Sequence, residues 1–186
     1  MAEMTTNNPR YGLVRTRDLE AHGWNRVAIG AMVQRGQLVR LGRGLYVTPD
    51  YAPSEDYSVA QVAMKYPKAV FCLLTALRLH QLTTQNPHEV WIAIEHKAKP
   101  PKMDYPPLHV VWSTDYALRA GVEHMVVDEV VQVQVTTLAK TIADCFKFRN
   151  KIGLDIAIEA LKEAWNAKRV TMDDLHYYAK ICRVHN

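Results

Sequence analysis

The sequence predicts an α+β protein in two parts, a small N-terminal unit over residues 1–50 and a larger mixed α+β domain over residues 51–186 with a helical C-terminal end. Two short capped helices followed directly by a glycine-marked hairpin define the first part. The stretch Pro49 to Ser54 (PDYAPS) then breaks the pattern with the proline and polar residues of a linker. Beyond it, β-branched runs alternate with apolar stretches at helical spacing, as a mixed domain requires. With 186 residues and 48% hydrophobic side chains, the chain is long and apolar enough to bury a core.

In the N-terminal unit, Thr16 caps a first helix from Arg17 to His22, which Gly23 ends. Asn25 caps a second helix from Arg26 to Arg35, stopped by Gly36. Ile29, Met32 and Val33 fall at i, i+3 and i+4 and form its buried stripe, so Arg26, Gly30 and Gln34, at steps of four, are expected to face outward. Gly30 leaves room for close approach to a surface. Gln37 to Leu41 and Leu45 to Thr48 read as strands, with Gly42-Arg43-Gly44 as the turn between them. Helix, turn, helix and hairpin in that order is the plan of a winged helix-turn-helix. In that fold the second helix enters the major groove and the hairpin tip lies along the adjacent backbone or minor groove. A further helix normally opens such a module. Met1 to Arg10, with Asn7-Asn8-Pro9, is poor material for one, so either that helix is very short or the module leans on the larger domain.

In the larger domain, helices are expected from Ser54, as cap, to about Tyr66 and from about Val70 to His80, with Leu73, Leu74, Leu77 and Leu79 buried. Val90 to Ile94 reads as a strand. Lys97 to Pro107 (KAKPPKMDYPP) reads as a loop, because its four prolines cannot sit in a regular ladder. Leu108 to Trp112, Val122 to Val127 and Val131 to Val135 read as further strands, with Asp128 and Glu129 a turn between two of them. Thr136 or Thr137 caps a helix through Phe146. Two more are expected from about Gly153 to Ala167 and from Thr171 to Arg183, the last with Asp173 and Asp174 in its first turn, where the helix dipole favours acids.

The net charge is +4, and its location is informative. Between Arg10 and Asp50 lie seven arginines and three acidic residues, while every lysine comes after Tyr51. Arginine suits forked contacts to phosphate and to guanine edges, so nucleic acid is the partner this segment points to. Two basic groups in the larger domain form a possible second surface: Lys97, Lys99 and Lys102 in the proline-rich loop, and Lys140, Lys147, Arg149 and Lys151 around the end of one helix. Solvated surface is the plainer explanation for both.

Neither a membrane-length apolar run nor a signal-like N-terminus is present, which leads to the expectation of a soluble, cytoplasmic protein without a membrane partner. Cys72, Cys145 and Cys182 are odd in number and far apart, as reduced core thiols would be. Cys182 and His185 make a lone CxxH, which is half a metal site at most, so no metal is expected. The chemistry of an enzyme is hard to find. Gly42-Arg43-Gly44 lacks a third glycine and precedes a strand, which excludes dinucleotide and P-loop readings. HExxH, GxSxG and paired CxxC motifs are absent, and Ser54, Ser58 and Ser113 are the only serines. Glu95-His96-Lys97, after a strand, offers an acid, a base and a cation, though a polar loop is the plainer explanation. No cofactor is expected.

The pattern GLVRTRDLEAHGWNRVAIGAMVQRGQLVRLGRGLYV, followed by FCLLTALRLHQL, PHEVWIAI and VTTLAKTIADCFKFRN, resembles the AbiEi-type antitoxins of abortive-infection toxin-antitoxin systems. The likeness runs from about Tyr11 to the end. Its most specific parts are the G-x-L-x-R-x-x-R-G-x-Y-V stretch from Gly36 to Val47, the TALRLH helix and the VTTLAKTIADCF helix start. The resemblance implies a winged helix-turn-helix that represses its own operon, usually on inverted repeats in promoter DNA. It also implies a larger domain with antitoxin activity, opposing a nucleotidyltransferase-like toxin without a stable complex, in phage defence of the type IV kind. On this reading Arg15, Arg17, Asn25, Arg26, Gln34 and Arg35 meet DNA from the helices, and Arg40 and Arg43 meet it from the wing. Two rivals remain open: an enzyme that modifies the toxin or its target, and an interaction protein that sequesters the toxin.

Overall fold

The computed structural model describes residues 12–52, 54–83, 87–128 and 131–184. Met1 to Arg10, where an opening helix would have to lie, Glu129, and His185 of the CxxH pair lie outside the described residues. The chain has α+β architecture and divides into two compact units, Met1–Tyr57 and Ser58–Asn186. The division thus falls a few residues after the Asp50/Tyr51 boundary expected from the linker composition.

The N-terminal unit runs β1 (Leu13–Arg15), α1 (Thr16–Ala21), α2 (Arg26–Gln34), β2 (Val39–Gly42) and β3 (Leu45–Val47). Its sheet has the order β1-β3-β2, antiparallel throughout, with Leu13 opposite Val47 and Arg40 opposite Tyr46. Strand β1 is not predicted from the sequence, since three residues are too few to show alternation and its partner lies some thirty residues on. The turn is tighter than Gly42-Arg43-Gly44: Gly42 pairs with Leu45 beyond a bulge, and Gly44 takes the positive φ of 75° that closes the hairpin. The helix start is also corrected. Arg15, not Thr16, occupies the cap position, because the backbone is still extended there and Thr16 donates its N–H to the Gly44 carbonyl at 3.0 Å. Asn25 caps α2 as expected, its Oδ1 accepting the Ala28 N–H at 2.8 Å. Val14, Leu19, Ile29, Met32 and Leu38 form the core of this unit, with Trp24, Val33 and Tyr46 packed against it.

The larger unit runs α3 (Tyr57–Lys65), β4 (Val70–Phe71), α4 (Leu73–Leu79), β5 (Val90–Glu95), β6 (Leu108–Ser113), α5 (Asp115–Arg119), β7 (Val122–Val127), β8 (Val131–Thr136), α6 (Leu138–Lys147), α7 (Arg149–Ile152), α8 (Leu154–Asn166) and α9 (Met172–Cys182). Its mixed sheet has the order β6-β5-β4-β8-β7. The expectation of a helix from Val70 is corrected here. Val70 and Phe71 are a strand inserted between β5 and β8, buried on both faces, and only then does the helix begin. An unpunctuated Val-Phe-Cys-Leu-Leu run hides that switch, because a fully buried strand and a buried helix look alike at this length. Likewise α3 begins three residues after Ser54, whose Oγ accepts the Asp56 N–H at 3.1 Å. Leu73 and Leu77 are buried, whereas Leu74 and Leu79 are half-buried. Helix α6 starts after Thr137 and lies between α4, α8 and α9.

One polar group of α6 is buried inside this packing. Lys140 is 3% exposed and its ammonium bonds Asp144, one turn on, whose other oxygen accepts the Cys182 thiol of α9 at 3.2 Å. Burial is the largest influence and opposes the lysine's charge, yet the charge and hydrogen bond of Asp144, with Cys182 and Cys72 beside it, together outweigh burial and raise the pKa. Cys72, Cys145 and Cys182 are all buried free thiols, and burial pushes each thiol up, that of Cys182 to about 12. His80, at the end of α4, is also buried, and its Nε2–H donates to the Thr136 carbonyl at 2.8 Å. Among the described residues no helix is long and apolar enough to cross a membrane.

Two stability effects are expected. Asp144→Ala strands a buried ammonium and is predicted to cost about 3–5 kcal/mol in chemical denaturation of the full chain, whereas the paired Lys140→Met, Asp144→Leu replacement recovers most of it. Burial lowers the His80 pKa below its ordinary 6.5, so below that pH the unfolded chain binds a proton that the folded chain resists. Stability from this source is complete above the ordinary pKa and declines as the solution is acidified. The denaturation midpoint is therefore predicted to fall between about pH 7 and about pH 5, with a shallower fall in His80→Gln.

Candidate nucleic-acid interface

The exposed arginines of the N-terminal unit differ in how far they are already committed. Arg15 is not a free cation. Its Nε and guanidinium nitrogen donate to the two Asp18 oxygens at 2.7 and 3.3 Å, its backbone N–H bonds the same carboxylate, and its side chain is only 24% exposed. This clamp seals the start of α1 and gives Arg15, expected from the sequence to meet DNA, a local structural contact. Arg17 is exposed, with Nε 3.6 Å from Asp18. Arg26 is exposed at the start of α2, and its Nε donates to Glu20 of α1 at 3.0 Å, which leaves its outer nitrogens to solvent. Asn25 spends its side-chain oxygen on the helix cap.

Beyond the helices, Gln34 and Arg35 are exposed at the end of α2. Arg40 folds back so that Nε donates to the Gly42 carbonyl at 3.2 Å, bracing the hairpin turn from the strand. Arg43 stands exposed in that turn and makes no ion pair among the described residues. Arg17, Arg26, Arg35, Arg40 and Arg43 thus all lie on the surface of one small unit, two of them beside glycines that keep the backbone low.

The outward face of α2 is shifted from the one that steps of four suggested. With Ile29 and Met32 buried, the direction opposite them passes through Val27 and Gln34, and Arg26 lies to the side. Val27 is 82% exposed. Reading α2 from its polar residues missed this apolar member, although its place two residues before Ile29 marks it as outward.

The second basic surface is only partly assembled. Lys140 is removed from it altogether, since its side chain points into the core toward Asp144. Lys147 and Lys151 approach the Phe148 ring at 5.4 and 5.7 Å, and Arg149 donates to the Phe146 carbonyl at 2.9 Å, so these three gather at the junction of α6 and α7. Lys97, Lys99 and Lys102 are exposed in the loop after β5, and the Tyr66 hydroxyl holds the loop by bonding the Lys102 carbonyl. Lys99 borders a cleft of about 670 Å³ together with Lys68, Glu95, Asp115 and Arg119, of which Arg119 and Asp115 pair at 2.7 Å. His96 and Lys97 of the acid-base-cation triplet are solvated outside it. An apolar groove of about 490 Å³ lies between α6, α8 and α9, lined by Phe146, Trp165, Met172 and His176 among others. Among the described residues no three or more His, Cys, Asp or Glu side chains converge as metal ligands would.

Residues 9–49 match the family model of the AbiEi antitoxin transcriptional regulators. The match covers the N-terminal unit and not the larger one. No curated protein matches the chain. The Arg15 clamp yields a prediction that separates structure from binding: Arg15→Ala is expected to destabilise the N-terminal unit by about 0.5–1 kcal/mol, while Arg17→Ala leaves its thermal midpoint unchanged.

Proposed function

We propose, from the match of residues 9–49 to the AbiEi antitoxin regulators, that the N-terminal unit is a winged helix-turn-helix that binds promoter DNA and represses the chain's own operon. Helix α2 is the major-groove helix, and the β2–β3 hairpin is the wing. The larger unit carries antitoxin activity against a nucleotidyltransferase-like toxin encoded beside it, opposing the toxin without a stable complex and without catalysis, in phage defence. The protein works in the cytoplasm, and inverted repeats in the promoter are its target.

The observation that carries this reading is that the positive charge of a unit matching a regulator family is supplied by arginine alone, with no lysine before Tyr51. Arg17, Arg26, Arg35, Arg40 and Arg43 are exposed on it. Phosphate contacts fix the position of such a module and supply most of its affinity, while base contacts from one helix choose the site. Arg43, at the tip of a hairpin braced by Arg40, suits a backbone or minor-groove contact.

Two measurements test the proposal. Arg43→Ala is predicted to weaken binding to a duplex from the region upstream of the reading frame, and to reduce the slope of log affinity against log salt by about one. Gel-shift titrations over a range of salt read both, and an unchanged slope removes the wing tip from the interface. Co-expression of the full chain with the neighbouring toxin frame is expected to restore growth, and failure to do so removes the antitoxin assignment.

A further inference from the structure

We propose that Val27 is the base-reading residue of α2, packing its methyl groups against the 5-methyl of a thymine in the major groove. The inference rests on the DNA-binding reading above and deepens it by naming the base and the side chain that selects it.

Three observations carry it. Val27 is 82% exposed, more than any other large hydrophobic side chain among the described residues, so it contributes nothing to the core of its unit. It also does little for the helix itself, since a β-branched residue is a poorer helix former than alanine, lysine or glutamine at an exposed site. Its position is the second feature. The buried pair Ile29 and Met32 fixes the rotation of α2, and at about 100° per residue Val27 and Gln34 then point directly away from the core. The third is the low relief around it. A Cβ added at Gly30 would meet nothing within 4 Å, and Ala31, on the same line as Val27 and Gln34, is small. An outward face built from valine, glycine and alanine lets the helix backbone come close to base edges, with Arg26 at one end and Gln34 and Arg35 at the other for polar contacts.

The chemistry then selects the base. Among the distinguishing groups that the bases present in the major groove only the thymine methyl is apolar, while cytosine carries just a hydrogen at the same ring carbon. Cytosine at the same place therefore gives the valine no methyl to pack against, and the contact loses the apolar surface that thymine would bury.

The test uses the full chain and a duplex from the region upstream of its reading frame, first footprinted, then remade with deoxyuridine replacing each protected thymidine in turn. Deoxyuridine removes only the methyl. The wild-type protein is expected to bind about fourfold more weakly when the contacted thymidine is replaced, the worth of one buried methyl group. Val27→Ala is expected to show a similar loss on the unmodified duplex and no further loss with deoxyuridine at that position. Alanine at an exposed helical site preserves the fold, which an unchanged thermal midpoint verifies. If wild-type affinity is insensitive to deoxyuridine at every protected position, or Val27→Ala remains as sensitive as the wild type, Val27 does not read thymine, although the DNA-binding reading stands. If the wild type fails to bind the unmodified duplex at all, both fall.

Discussion

The packing of Ile29 and Met32 of α2 against Val14, Leu19 and Leu38 is the constraint on which the N-terminal unit depends. A nine-residue helix has little stability alone, so this apolar stripe both holds α2 in place and sets its rotation. Everything that faces outward follows from it: Val27 and Gln34 away from the core, Arg26 to the side beside Glu20, and Gly30 open. The three-stranded sheet supports the same core from the other elements. Strand β1 pairs with β3, and the Thr16 N–H bonds the Gly44 carbonyl, which joins the start of α1 directly to the hairpin turn. The helices and the hairpin are therefore one mechanical unit, and Arg43 is carried on a turn tied to α1.

Electrostatics within this unit divides its arginines by task. Arg15 is consumed by Asp18, and Arg40 in part by its own turn, so charge that is counted in the sequence as available for a partner is spent on holding the scaffold. Arg17, Arg26, Arg35 and Arg43 keep exposed positions. In the larger unit the same distinction is sharper. Lys140 sits three residues into α6 and seven before Lys147, so helical spacing puts both on one side, but Lys140 is buried beside Asp144, which bonds Cys182 of α9, whereas Lys147 is exposed in the last turn. A buried ammonium needs a buried carboxylate, and Asp144 provides it while also accepting the Cys182 thiol, which links α6 to α9.

Legibility in the sequence followed the range of the interactions involved. Caps, turns and long alternating strands are local, so Asn25, the hairpin around Arg43, and the strands at Val90, Leu108, Val122 and Val131 could be read almost to the residue. Strand β1 and the two-residue strand Val70–Phe71 depend on partners far along the chain, and helix α5, five residues long, is too short to show a periodicity. For the candidate interface, residue type identified the arginines, but only the fold distinguishes the clamped Arg15 and the buried Lys140 from those that remain at the surface. Val27 was passed over for the opposite reason. An apolar residue in a helix reads as core until the helix is oriented, and then its exposure becomes the informative fact.

The central claim is that α2 and the hairpin of this small unit engage double-stranded DNA together. Hydroxyl-radical footprinting of the full chain on the region upstream of its reading frame measures that most directly. The account predicts protected backbone flanking one stretch of major groove, with a second patch on the adjoining backbone where Arg43 lies, and loss of only that second patch in Arg43→Ala. Uniform, unlocalised protection, or a footprint that Arg43→Ala leaves whole, would contradict it.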